Sequence, residues 1–174
     1  MQKIILLAFA LLIIVQPASA MINTGDKAPQ FKLTDGNDLP LDSQTLRGKA
    51  IIGFYNSRET SEKNIHLEKE LRQFYAQRKK PSNDLHRLAV ADGSPANGAT
   101  RWIWKRTIIK LSEKRGVHFY GDWDGSMRTS FSFPENESIF IIIDKAGIVR
   151  YIHAGLVPLT EYPRIKEIIL NTLK

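Results

Sequence analysis

Apolar positions along the chain alternate between short dense runs and wider helical spacings, the signature of strands interleaved with helices. Gln30 to Leu33 and Leu39 to Leu41 read as short strands, joined by an Asp35-Gly36 turn whose residues accept positive φ. Ala50 to Tyr55 is almost continuously apolar, as expected of a central strand buried on both faces. Leu67, Leu71, Phe74 and Tyr75 follow at helical spacing, with Thr60 and Ser61 as N-caps ahead of them. That helix is expected to end near Arg78, because Pro81 disfavours helical geometry in the residue before it. Leu85 to Ala91 is the next strand, and Gly93, Pro95 and Gly98 mark a loop.

A second helix is expected from Ala99 to Lys114, with two apolar stripes instead of one. Trp104, Ile108 and Leu111 share one face, while Trp102 and Ile109 share another. A short strand at His118 to Tyr120, a short helix from Ser126 to Phe131 and an apolar strand from Ile139 to Ile143 come next. Asp144 to Gly147 turns that strand into Ile148 to Ile152. A last helix opens near Thr160, with Pro163 in its first turn and Ile165, Ile168, Ile169 and Leu173 on its inner face. The order predicts an α/β domain: a mixed central sheet with helices on both faces, parallel through the helical crossovers and antiparallel at the C-terminal hairpin. Open sheets place sites beyond the carboxyl ends of their strands, which here points to the loop from Asn56 to Thr60.

The apolar run from Ile4 to Val15 has a different meaning. Lys3 precedes it, and Pro17 and Ala18-Ser19-Ala20 follow, the layout of a secretory signal peptide cut after Ala20. Twelve apolar residues are too few for a spanning helix, which needs about 20. Residues 1–20 are therefore read as a leader and 21–174 as one domain, exported and periplasmic in a cell with two membranes. There is no cysteine in the 174 residues. Burial must stabilise the fold without disulfides, and no side chain can form or release one, so thiol oxidoreductase and thiol peroxidase chemistry are excluded. The net charge of +7 favours anionic surfaces but is not the dense basic stripe of a nucleic-acid reader, so no nucleic-acid partner is expected.

Gly25-Asp26-Lys27-Ala28-Pro29-Gln30-Phe31-Lys32-Leu33 resembles the opening of the redoxin branch of thioredoxin-like proteins, which includes bacterial peroxiredoxins and TlpA-like oxidoreductases. Leu46-Arg47-Gly48-Lys49, Gly53-Phe54-Tyr55 and the stretch from Phe140 to Gly147 continue the resemblance in the same order. It implies a thioredoxin-like three-layer sandwich. It also implies where activity would lie: the reactive Cys-x-x-Cys of TlpA-like proteins falls on Glu59-Thr60-Ser61-Glu62, and the cis-proline bordering it falls near Ser138, Pro134 being four residues too early. Both cysteines are missing, so the resemblance carries the scaffold and not the redox residues. The stretch from Arg58 to Asn64 also looks like the site region of YtfJ-type periplasmic proteins.

Two functional classes follow. In the first, the protein is non-catalytic and binds an exported partner or a small ligand. Arg58, Glu59, Thr60 and Glu62, with Ser138 beside them, would line a groove at the old thiol corner, where a helix starting near Thr60 would offer unpaired N–H groups and partial positive charge. In the second, Glu59 and Glu62 act as a carboxylate pair with separated pKa values in an enzyme of the same fold. Neither reading calls for a cofactor. His66, His86, His118 and His153 lie at least twenty residues apart, without the local spacing of a metal site. The second helix gives a separate interaction signal: Arg106, Lys110 and Lys114 project together beside Trp102 and Ile109, a cation-flanked aromatic suited to a partner or to weak contact with an anionic surface.

Overall fold

The computed structural model describes residues 20–77 and 83–174. Residues 1–19 of the expected leader, and Arg78 and Pro81, near which the first helix is expected to end, fall outside the described residues. The apolar run at 50–55 forms β3 (Ala50–Asn56), in which every residue but Phe54 is buried. A strand covered on both faces belongs inside a sheet. β3 accordingly pairs in parallel with β4 (Leu85–Asp92) and antiparallel with β6 (Ile139–Ile143). With β1 (Lys32–Asp35), β2 (Pro40–Asp42), β5 (Phe119–Asp122) and β7 (Val149–Ala154), the sheet runs β2-β1-β5-β4-β3-β6-β7.

The two parallel pairings require crossovers, and helices supply them. α1 (Ile65–Ala76) links β3 to β4, and α2 (Arg101–Arg115) links β4 to β5. Leu67 and Leu71 of α1 pack on Ile52, Phe140 and Ile142 together with Ile165 and Ile169 of α4 (Tyr162–Thr172). Ile108 of α2 packs on Ala89 and Phe119. Ala89 lies opposite Phe54 in the ladder, so α2 shares that face of the sheet. Met127 and Phe131 of α3 (Ser126–Phe131) cover the other face, against Tyr55, Leu88, Val90 and Ile141, with Ile22 and Phe31 beside them. Ile165 and Ile169 are completely buried, each worth about 1.5–3 kcal/mol relative to exposure. The result is the expected mixed sheet between helical layers.

Local differences from the sequence reading have local causes. β6 and α3 occupy their expected bounds. β1 begins two residues late, because Phe31, though buried, gives its N–H to the Ser43 hydroxyl at 3.0 Å. The positive φ of the first turn falls on Asp38, at 63°, and not on Gly36. Gly36 is required for room: a Cβ there would stand 2.6 Å from Ile109 and from the Lys105 carbonyl of α2. At the second hairpin, the Asp144 carboxylate accepts the N–H groups of Ala146 and Ile148, both at 2.9 Å, and Gly147 takes the left-handed φ of 83°.

Candidate functional site

β3 ends at Asn56, and the chain makes a series of turns before α1 starts at Ile65. This corrects the expected helix start at Thr60. Thr60 and Ser61 do not cap α1, because their hydroxyls serve the turns: Thr60 Oγ1 accepts the Ser57 N–H at 3.0 Å, and Ser61 Oγ donates to the Arg58 carbonyl at 2.9 Å. The helical N-terminus, with its partial positive charge, therefore lies at Asn64 and Ile65 and not at the Thr60 corner.

Asn64 is 2 % exposed, and its carboxamide does not cap the helix. Its Nδ2 donates to Ser138 Oγ and to the Gly155 carbonyl, both at 2.8 Å, and its Oδ1 accepts the Val157 N–H at 2.9 Å. Ser138 Oγ in turn donates to Asn56 Oδ1 at 2.6 Å, and the Ser138 carbonyl accepts the Gly155 N–H at 2.7 Å. One buried chain of polar groups thus binds the end of β3, the start of α1, the approach to β6 and the loop after β7. Ser138, at the family's cis-proline position, is fully buried within it; no cis peptide bond occurs among the described residues. Outside this chain, Glu137 accepts the Ser138 N–H at 3.0 Å and pairs with Lys63. The Lys63 bond, ahead of the Ser138 N–H, holds the Glu137 carboxyl below the usual range.

The open space lies on the other side of the loop. A cleft of 340 Å³ separates Asn56–Glu62 from α2, floored by Val90, Ala91, Trp104, Ile108, Leu111 and Phe119. Arg58, Glu62, Lys114 and Arg115 stand around its rim. Arg115 is committed: its Nη1 bonds both Glu68 oxygens at 2.9 and 3.1 Å, with each side chain 14 % exposed, tying α1 to α2. Burial pushes the Glu68 carboxyl above its ordinary value, and Arg115 offsets only part of that. Arg58 and Lys114 are exposed and, like Glu62, enter no ion pair among the described residues, so the two cations outnumber the one free carboxylate on the rim.

The residues read from sequence as one groove are thus divided. Arg58 and Glu62 line the cleft; Glu59 is exposed outside it, and Thr60 and Ser138 are turned into the protein. Glu59 and Glu62 therefore do not line the same cleft. On α2, Trp102 is 56 % exposed, with the Arg106 guanidinium 5.6 Å from its ring centroid, and Lys110 is exposed nearby. Ile109 leaves that group and packs against Gly36. Among the described residues no three His, Asp or Glu side chains come together as metal ligands.

Sequence reasoning missed Asn64 and Asn56. The available signal was an Asn immediately before the first helical apolar residue, a position where Asn often has a structural task. It also missed the β5 end, where buried Asp122 accepts the Tyr55 hydroxyl at 3.0 Å and the N–H groups of Met127 and Arg128 at 3.3 and 3.0 Å. Burial raises the Asp122 carboxyl and, with the Asp122 charge, drives the Tyr55 phenol far above its ordinary value.

Solved structures repeat this architecture. A thiol peroxidase from Chromobacterium violaceum aligns over 89 % of this chain and 90 % of its own, with a TM-score of 0.63 and 14 % identity. A Chlorobium tepidum protein assigned as the thiol:disulfide interchange protein DsbE covers 88 % of this chain and 99 % of its own, at 0.64 and 17 %. A reduced 2-Cys peroxiredoxin from Plasmodium vivax covers 85 % and 96 %, at 0.57 and 18 %. No family model matches the sequence, and no curated protein matches it. The chain has a thioredoxin-like fold of the kind found in redoxins. It carries that fold without a cysteine.

Proposed function

We propose that this is an exported, non-redox binding protein on a redoxin scaffold, holding a small apolar ligand or an extended segment of a partner in the cleft between the Asn56–Glu62 loop and α2. The observation that carries the reading is the cleft itself: 340 Å³ of apolar-floored space with two unpaired cations and one carboxylate, Glu62, at its mouth. An apolar body with an acidic group matches that lining. The names of the fold's neighbours speak of thiol and disulfide chemistry, but this chain has no sulfur that can exchange with a disulfide. The adjoining corner supports the same reading, because the buried groups of Asn56, Asn64 and Ser138 are bonded to one another. Export rests on Lys3, the Ile4–Val15 run and Ala18-Ser19-Ala20, and places the binding event in the periplasm of a two-membrane cell.

Titration with 8-anilinonaphthalene-1-sulfonate, an apolar anion, tests this reading. Saturable one-site binding with quenching of Trp104 emission is expected. Leu111→Glu, which puts a charge on the cleft floor, is expected to abolish it, and Arg58→Ala with Lys114→Ala to weaken it about tenfold. Binding unchanged by Leu111→Glu overturns the cleft as the site. Steady disulfide-reductase or peroxidase turnover by the purified chain overturns the non-redox reading.

A further inference from the structure

Apart from Leu170, the large apolar side chains exposed among the described residues fall into two groups. Ile65, Leu156 and Leu159 lie around the start of α1 and the loop after β7; Leu39, Trp102 and Ile103 lie around the N-terminal half of α2. Charge separates the two. Beside the first group, Lys63 is bound to Glu137 and Arg164 to Glu161. Beside the second, Arg106 and Lys110 have no acidic partner among the described residues, and α2 carries a single acid, Glu113, against six basic residues.

The second group is also held as a unit. Trp102 and Ile103 are 56 % and 48 % exposed on α2, and Leu39 is 61 % exposed on the turn between β1 and β2. That turn is fastened to α2 by the Asp38–Lys105 ion pair and by the close seat of Ile109 on Gly36. Asp35 secures its base, accepting the N–H groups of Asn37 and Leu39 at 2.8 and 2.9 Å. Apolar tips therefore protrude from two joined elements, with the Arg106 guanidinium against the Trp102 ring and Lys110 exposed one turn further along α2. Ile108 already gives α2 its seat on the sheet and Ile103 also edges the cleft, so it is Trp102 that packing within the fold does not account for.

We infer that this face of α2 docks on the surface of an anionic phospholipid bilayer, with Trp102, Ile103 and Leu39 entering the headgroup layer and Arg106 and Lys110 meeting phosphates. Protruding tips suit a fluid partner that closes around them, whereas a protein partner would need preformed pockets. An indole beside a cation is the side-chain pairing that the bilayer interface favours, its ring at headgroup depth and its charge in the phosphate layer. The docking is reversible and lateral; no helix among the described residues is long and apolar enough to cross a membrane.

Sedimentation of the full chain with phosphatidylcholine vesicles, with and without about 30 % phosphatidylglycerol, tests the inference. Binding that rises with phosphatidylglycerol and falls with salt is expected, and Arg106→Gln with Lys110→Gln is expected to weaken the anionic component about 20-fold. Neither residue lines the cleft, so loss here with 8-anilinonaphthalene-1-sulfonate binding intact separates the two sites. The apolar run at Ile4–Val15 could itself hold vesicles, so a local readout is added. Brominated phosphatidylglycerol is expected to quench part of the tryptophan emission, and Trp102→Phe to remove that quenching while sedimentation persists. Equal binding to both vesicle types, an undiminished anionic component in the double variant, or quenching unchanged by Trp102→Phe overturns the inference.

Discussion

The corner at Asn64 and the outward face of α2 treat polar groups in opposite ways. At the corner, the neighbouring Asn56 and Asn64 are satisfied by the sequence-distant Ser138 in a buried network; on α2, cations and a tryptophan face solvent with little to hold them. Buried polar networks fix geometry, because any unmade bond in them costs a full desolvation. Exposed groups cost little to leave unpaired and so remain available to a ligand. In a thiol enzyme of this fold the corner would be the reactive region. Here it is a brace, and the exposed, unpaired charges lie on the flank.

The largest expected effect breaks the brace. Asn64→Ala leaves the Ser138 hydroxyl, the Gly155 carbonyl and the Val157 N–H short of a partner, and is expected to lower unfolding free energy by about 3 kcal/mol in denaturant titration. A loss below about 0.5 kcal/mol would show that the network contributes no stability.

A second experiment separates burial from ion pairing as the source of acid sensitivity. His86 sits with Nε2 buried and unbonded, and burial, reinforced by the Lys49 charge, lowers its pKa. The unfolded chain therefore binds this proton more readily than the folded one, so the His86 contribution is present above about pH 6.5 and is lost as pH falls toward the folded value. His86→Leu is expected to flatten the stability profile on the acid side of about pH 6.5, measured by thermal melts; an unchanged slope would exclude His86 as the cause.

The smallest effect completes the contrast. Trp102→Ala is expected to change stability by no more than about 0.5 kcal/mol, because its ring is mostly in water. A loss of 2 kcal/mol or so would make Trp102 a structural residue and remove the reason to treat α2 as a docking face.

Much of the fold was legible because burial is periodic. The unbroken apolar run at 139–143 and the short helix at 126–131 met their expected bounds, the helix with its first N–H groups taken by the Asp124 and Asp122 carboxylates just ahead of it. The candidate site was less legible. Thr60 and Ser61 look like caps by residue type, and only the folded chain reveals that their hydroxyls close turns on Ser57 and Arg58. Asn64 binds partners far away in sequence, which no local window contains. The same holds for Ile109, paired by spacing with Trp102 but drawn to the β1–β2 turn by the space that Gly36 leaves.

The Asn64 brace also bears on how the chain reaches its native state. Its bonds join residues separated by 74, 82, 91 and 93 positions, so forming them early would close long loops for few contacts in return. Pairing of β3 with β6, whose opposed residues lie from 92 apart (Ile51 and Ile143) to 84 apart (Tyr55 and Ile139), closes the same loop with a whole ladder of bonds and brings the segments of the corner together. Closure of the corner is then expected to follow that ladder, with the Val157 amide gaining protection from hydrogen exchange after the amides of β6.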